Sequence, residues 1–139
     1  MTSPFTKIPE SDWIADNDRA FAIHDSYPVT EGHALVIPKD EIPTWFDATH
    51  DQQLALIVLV DDVKQLLDGK YDPDGYNVGI NNGEAAGQTV DHLHIHVIPR
   101  YDGDTDDPTG GVRNVLPDRG NYKEGDVDDW NETAPGPGE

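Results

Sequence analysis

The chain contains no cysteine. Disulfide bonds, catalytic thiolates and cysteine-ligated zinc are therefore excluded for this sequence. It also lacks an apolar run of about 18 residues, the length that a membrane-spanning helix needs, and an apolar N-terminal stretch with a cleavage site. We expect a protein that is neither exported nor membrane-bound and that acts in the cytoplasm.

Basic residues are scarce. Nine Lys and Arg stand against 28 Asp and Glu, so the formal net charge is −19. Such a surface repels polyanions, and we expect no nucleic acid as a partner. Because lysine is scarce even in the predicted helix, the acidic excess favours adaptation to high salt over an ordinary protein with an acidic tail. We therefore expect a halophilic source, where about 1 M salt shortens the Debye length to roughly 3 Å.

The 139 residues fit one domain with a polar extension. Apolar residues cluster before Arg100, whereas residues 102–139 are rich in Asp, Gly and Pro. We predict a folded domain over residues 1–101 and an acidic, irregular C-terminal extension over residues 102–139. The end of that extension, from about Asn131, is expected to be disordered.

Four strands and one helix are predicted for the folded part. The strands cover residues 20–24, 34–37, 75–81 and 90–98, the last ended by Pro99. The helix lies between the second and third strands. The order strand, strand, helix, strand, strand indicates an α+β fold with a mainly antiparallel sheet.

The helix carries clear start and packing signals. Thr49 and Gln52 form a capping box, and Gly69 is a plausible end. Apolar residues recur between them at helical spacing, which predicts a face covered by the sheet; they are Leu56, Leu59, Val60, Val63, Leu66 and Leu67.

Three histidines alternate with apolar residues in the run His92-Leu93-His94-Ile95-His96. On a strand, alternate side chains point to opposite faces, so the three imidazoles are predicted to share one face. Such a set suits either a metal site or phosphate chemistry; a chance run on an exposed face is the remaining interpretation.

The residues just upstream favour phosphate chemistry. Residues 85–89 read Ala-Ala-Gly-Gln-Thr. Glycine lets backbone N–H groups approach an anion closely, and threonine adds a hydroxyl. Taken alone the stretch indicates only a hairpin turn, but directly before three histidines it predicts a phosphate-binding loop.

Residues 86–100 as a whole resemble the signature of the histidine triad (HIT) superfamily. The upstream stretch 21–39, with Gly32-His33 and the strand that follows, is similar to the first half of that domain. The resemblance, over about residues 5–100, implies a HIT-like α+β fold with about five strands, one long and one short helix. It also implies a homodimer whose sheets join, and a branch similar to diadenosine polyphosphate hydrolases.

The resemblance further implies a nucleotidyl hydrolase or transferase that cuts at an α-phosphate. His94, the middle histidine, would be the nucleophile and form a nucleotidyl-imidazole intermediate. Its other nitrogen would donate to a main-chain carbonyl. His96 would contact the phosphate and stabilise developing charge, and His92 would orient its neighbours.

Nucleotide-binding positions follow from the same resemblance. Asp25 stands where the family binds the ribose hydroxyls, although a turn aspartate is the alternative. Asn81 matches an amide position eleven residues before the first triad histidine, and His33 would join the histidine network or serve as a hydrogen-bonded core residue. The phosphate loop would be formed by Gly87, Gln88 and Thr89.

One departure concerns zinc. Some microbial relatives bind structural zinc with Cys-x-x-Cys and a further histidine, but this chain has Ser3 through Thr6 and Glu41 at those positions. We therefore expect no structural zinc and no required cofactor, with a divalent cation on the substrate phosphates left open. In the extension, Arg113 suits either a phosphate contact or a surface ion pair.

Two other functions remain open at this point. A protein with the same site could sense nucleotides without turnover, or the histidines could hold a metal. We expect a purine nucleotide conjugate as substrate, either a dinucleoside polyphosphate or a phosphoramidate.

Overall fold

The computed structural model describes residues 2–123. Its core is a five-stranded antiparallel sheet in the order β1-β2-β3-β5-β4, with one long helix, α1, and the predicted α+β class is confirmed. The strands are β1 (Ala15–Asp16), β2 (Ala20–His24), β3 (Ala34–Pro38), β4 (Gly75–Ile80) and β5 (Ile95–Arg100).

The last strand differs from its prediction. β5 begins at Ile95 rather than residue 90, because the Leu93 N–H donates to the Ile42 carbonyl at 2.7 Å and ties this stretch to a loop. The strand also runs through Pro99 instead of stopping there. Pairing with β3 covers only Ile95 to Val97, so Pro99 has β4 alone as a neighbour, and its missing N–H removes no bond to β3.

Helix α1 spans His50–Tyr71. The capping box is confirmed, with Gln52 N–H donating to the Thr49 hydroxyl at 3.2 Å and Thr49 N–H donating to the Gln52 side chain at 2.8 Å. The predicted end at Gly69 is wrong, because the helix continues to Tyr71 and is capped by Asp72, which has φ 51°. The short elements of the described residues are 3-10 turns such as Trp45–Asp47, rather than a second α-helix.

The helix covers one face of the sheet. Leu56, Leu59, Val63 and Leu67 are buried against it, but Leu66 is 49% exposed, contrary to its predicted core position. Each buried side chain of this size contributes about 1.5–3 kcal/mol.

The opposite face of the sheet is covered by the N-terminal segment instead of a helix. Phe21, Ile23, Leu35 and Ile37 form a second apolar cluster there, and the N-terminal residues Phe5, Ile8 and Trp13 pack on it. The N-terminal segment is thus a structural layer of the fold, and a cavity lies beside it.

The chain divides into two compact units, Met1–Asp104 and Thr105–Glu139. In the second unit a 3-10 turn covers Gly111–Val115. Arg113 Nε donates to the Gly120 carbonyl at 2.9 Å, and its guanidinium lies 5.5 Å from the Tyr122 ring centre. The predicted disorder from Asn131 falls outside the described residues.

Among the residues that the structure describes, no helix combines the length and apolar character needed to cross a membrane.

Candidate active site

A cavity of about 620 Å³ opens beside the N-terminal segment, within the size range of small-molecule sites. Most of the predicted site residues line it, namely Asp25, His33, Asn81, Gly87, Thr89, His94 and His96. His92 and Gln88 do not line it. The strands and the loop before β5 therefore bring together residues that are far apart in the sequence.

His94 is held by one backbone hydrogen bond. Its Nδ1 lies 2.8 Å from the His92 carbonyl oxygen, which can only accept, so Nδ1 carries the proton. This is the main-chain acceptor that the family resemblance implies. The remaining nitrogen, Nε2, keeps its lone pair, and the side chain lines the cavity. His94 therefore has the protonation pattern of a nucleophile.

The Val29 N–H, His33 and His96 form a relay of hydrogen bonds with a defined direction. Val29 N–H donates to His33 Nδ1 at 3.1 Å, which places the His33 proton on Nε2. That nitrogen lies 3.0 Å from His96 Nδ1 and donates to it. His96 is left with its proton on Nε2, so it presents a hydrogen-bond donor from a side chain that lines the cavity.

Burial keeps this relay neutral. Burial, with smaller contributions from the neighbouring His94 and His33 and against the opposing Asp25, lowers the pKa of His96 from 6.5 to about 4. Burial also lowers the pKa of His33, again opposed by Asp25. Near neutral pH, His96 is therefore a neutral hydrogen-bond donor rather than a cation.

These shifts predict how stability depends on pH. The folded pKa of His96 is depressed, so its contribution to the free energy of unfolding is complete above pH 6.5 and is lost as the pH falls towards about 4. We expect a loss of about 1 kcal/mol from this group between pH 7 and pH 5, because its partial exposure reduces the effect of the shift. Urea unfolding at stepped pH measures it; His96→Asn should show a flatter profile, and an equal slope in both proteins would contradict the assignment.

His92 departs from its predicted place on the shared face. It is 0% exposed, and its Nε2 donates to the Pro38 carbonyl at 2.8 Å. Its Nδ1 lies 2.8 Å from the Ser3 hydroxyl. The alternation fails at this position because β5 starts only at Ile95. His92 supports His94 through its backbone carbonyl, and it does not line the cavity.

The predicted phosphate loop also needs correction. The Gln88 side chain donates to the carbonyls of Pro43 and Val90, at 2.6 and 2.9 Å, and accepts from Gly83 N–H. The backbone N–H groups of Gly87 and Gln88 donate to carbonyls within the loop. Gln88 therefore braces the loop, whereas Thr89 lines the cavity.

Asp25 is a turn aspartate that also lines the cavity, and its contact with the ribose stays a prediction. Its Oδ1 accepts from Tyr27 N–H at 2.9 Å, as a turn aspartate does, while Oδ2 lies 3.5 Å from His33 Nε2. Asn81 lines the cavity beside Gly87, whose φ is 96°. The amide and the carboxylate can hydrogen-bond ribose hydroxyls or phosphate oxygens.

The apolar wall of the cavity was largely missed from the sequence. It includes Phe5 and Ile8 of the N-terminal segment together with Ile23 and Leu35 of the sheet. Phe21 does not line the cavity, because its ring stacks on that of Trp13 with centroids 4.6 Å apart. The spacing of Phe5 and Ile8 is the sequence feature that could have indicated this apolar wall. An apolar wall opposite polar groups suits a nucleobase on one side and phosphate on the other.

Asp25, His33 and His96 also have metal-site spacing, since their donor atoms lie within 4.8 Å of one another. A metal would need the lone pair of His33 Nε2. The Val29 N–H occupies His33 Nδ1 and keeps the proton on Nε2, so the hydrogen-bonded relay is favoured over a metal site.

The fold is an antiparallel sheet with one covering helix, and alternating histidines lead into one of its inner strands. These two features define a histidine-triad type of α+β protein. The HIT domain family matches residues 7–103. The chain belongs to the HIT family.

Known proteins agree with this assignment. The chain is 34% identical over 107 residues to an AP-4-A phosphorylase of Mycobacterium tuberculosis, covering 73% of this chain and 55% of that protein. It is 34% identical over 93 residues to a bis(5'-adenosyl)-triphosphatase of Dictyostelium discoideum, covering 67% of this chain and 62% of that one. The crystal structure of a HIT family protein from Bacillus anthracis superposes with a TM-score of 0.68 at 34% identity, covering 74% of this chain and 78% of that chain.

Proposed function

We propose that this protein hydrolyses purine nucleotide conjugates at the α-phosphate through a covalent nucleotidyl intermediate on His94. The observation that carries the proposal is the bare Nε2 of His94 in a nucleotide-sized cavity, with Nδ1–H anchored on the His92 carbonyl. The names of two relatives, which refer to adenosine polyphosphates, support diadenosine polyphosphates as one substrate class.

The chemistry proceeds in two displacements. His94 Nε2 attacks the α-phosphorus, the P–N bond forms, and the leaving group departs with the electron pair of its bond and takes up a proton from water. The positive charge on the imidazole is stabilised by the Nδ1–H bond to the His92 carbonyl. Water then attacks phosphorus and releases a proton to the solvent, where it neutralises the hydroxide left by the first step; the P–N bond breaks, its electron pair returns to Nε2, and the nucleoside monophosphate leaves. His96 Nε2–H donates to a phosphate oxygen in both steps.

Charge compensation is sparse in the site. Among the described residues, no Lys or Arg lines the cavity, and Asp25 adds a carboxylate. The whole protein has a net charge of −19. A polyphosphate substrate would therefore benefit from a bound divalent cation and from screening salt, whereas a phosphoramidate with one phosphate needs less of either.

A hydrolysis screen tests the proposed function. It compares diadenosine tri- and tetraphosphate with adenosine phosphoramidate, with and without Mg²⁺, from about 0.1 M to above 1 M KCl, where the Debye length falls from about 10 Å to about 3 Å. We expect AMP as a product in each active case and rates that rise with salt. Tight nucleotide binding without turnover of any conjugate would favour a sensor instead, and a flat salt profile would count against salt adaptation.

We also propose that two chains pair through β4. The outer edge of β4 has no partner strand among residues 2–123. Val78 on this strand is 48% exposed and lies beside an apolar hollow that includes Ile57 and Val60 of α1. Joining two β4 edges would satisfy the backbone groups and cover the hollow.

We expect Val78→Lys to convert a homodimer into monomers, because the lysine would be placed between two apolar surfaces. Sedimentation equilibrium measures the change. Leu66→Lys is the matched control, since Leu66 has a similar exposure and lies nine residues from Ile57, on the opposite flank of α1. A monomeric wild-type protein, or a Val78→Lys dimer of unchanged affinity, would contradict this interface.

A further inference from the structure

Behind the proposed nucleophile lies a hydrogen-bonded group made by Ser3, Glu41 and His92. Ser3 is 7% exposed and His92 is fully buried. The Ser3 hydroxyl lies 2.8 Å from His92 Nδ1, and the Ser3 backbone N–H donates to the Glu41 carboxylate. The group joins the start of the chain to the residue that supports His94.

The direction of the hydrogen bond from Ser3 is fixed by its surroundings. Because His92 Nε2 donates to the Pro38 carbonyl, His92 Nδ1 carries a lone pair and accepts. The Ser3 hydroxyl must therefore donate. Its oxygen also accepts from Phe5 N–H at 3.1 Å, so it acts as donor and acceptor at once.

Two short routes lead from Ser3 to His94. The first runs through His92, whose carbonyl accepts from His94 Nδ1–H at 2.8 Å. The second runs through Phe5, whose ring meets His92 and His94 edge-on, with centroids 5.5 and 5.2 Å away. Ser3 thus fixes two of the groups that touch the nucleophile.

We infer that Ser3 is a positioning residue for His94, acting through the tautomer of His92 and the placement of Phe5. The inference rests on the proposed role of His94. Without the hydroxyl, the buried His92 Nδ1 loses its partner, and an unpaired buried acceptor is costly. The His92 ring and carbonyl would then relax, and small displacements of a nucleophile lower its rate of attack.

Ser3→Ala is the central variant. We expect kcat to fall about tenfold, in line with the loss of one buried hydrogen bond, while the KM for the nucleotide conjugate stays within about twofold. Ser3→Thr keeps a hydroxyl and should retain most of the kcat. Thr6→Ala is the matched control, because the Thr6 hydroxyl donates to the Ser3 carbonyl in the same turn but does not contact His92.

The tautomer is measured independently of activity. Long-range ¹H–¹⁵N spectra of the imidazoles, with His92 assigned by its loss in His92→Gln, should show the proton on Nε2 and a hydrogen-bonded Nδ1 in the wild type. In Ser3→Ala the Nδ1 resonance should move to that of an unbonded nitrogen, and in Thr6→Ala it should not move.

The possible outcomes distinguish the positioning role of Ser3 from the proposed function. An active wild type with unchanged kcat or unchanged His92 resonances in Ser3→Ala would overturn the positioning role and leave the proposed function standing. Equal losses of kcat in Ser3→Ala and Thr6→Ala would reduce Ser3 to a structural residue of the turn. A wild type inactive on every conjugate would remove the proposed function, and the positioning role with it.

Discussion

Replacing His94 with alanine should lower turnover by roughly three orders of magnitude or more, because the covalent route is lost with the nucleophile. Nucleotide binding should change only a few-fold, since the apolar wall, Asp25 and Asn81 remain. Single-turnover kinetics and equilibrium binding of a nucleoside monophosphate measure the two effects separately. The fold should persist because His94 faces the cavity rather than the apolar core.

His50→Ala is the control for the loss of a histidine. His50 is exposed at the start of α1 and does not line the cavity. Its replacement should leave kcat near the wild-type value. Near-normal turnover in His94→Ala would mean that another group attacks phosphorus, and the mechanism would have to be abandoned.

Replacing His96 with phenylalanine is expected to have the second largest effect. The variant lacks the Nε2–H donor to the phosphate oxygen, and removal of one donor of this kind typically costs about 10²–10³ in kcat. His96→Gln carries an amide donor and should recover part of the loss. His33→Gln, which alters the relay one step further away, should cost less than His96→Phe.

The order of these three variants is informative. The relay from Val29 N–H through His33 to His96 gives each residue a defined donor and acceptor. If His33→Gln lowers kcat as much as His96→Phe does, both residues contact the phosphate, and the one-way relay is wrong.

Much of the site was predictable from local patterns. The alternation of residues 92–96 identified His94 and His96, and the capping box at Thr49 identified the start of α1. Both signals are carried by residues within a few positions of one another. A family signature then supplied the roles that spacing alone left open.

The remaining features depend on contacts between distant parts of the chain. His92 pairs with Ser3, 89 residues away, and Gln88 donates to the Pro43 carbonyl, 45 residues away. Sequence periodicity contains no information about such pairs. The protonated nitrogen of His33 is set by the Val29 N–H only four residues away, but through a turn geometry that sequence periodicity does not encode either.

The central claim is covalent attachment of the nucleotide to His94, and trapping the adduct tests it most directly. A slowly hydrolysed radiolabelled conjugate is mixed with enzyme, quenched without acid, digested and mapped by mass spectrometry. We predict a nucleotidyl group on His94, in the peptide that holds residues 92–96, stable to base and labile to acid as a phosphoramidate is, and absent in His94→Ala. A nucleotidyl group on any other residue, or rapid turnover with no adduct at any time point, would contradict it.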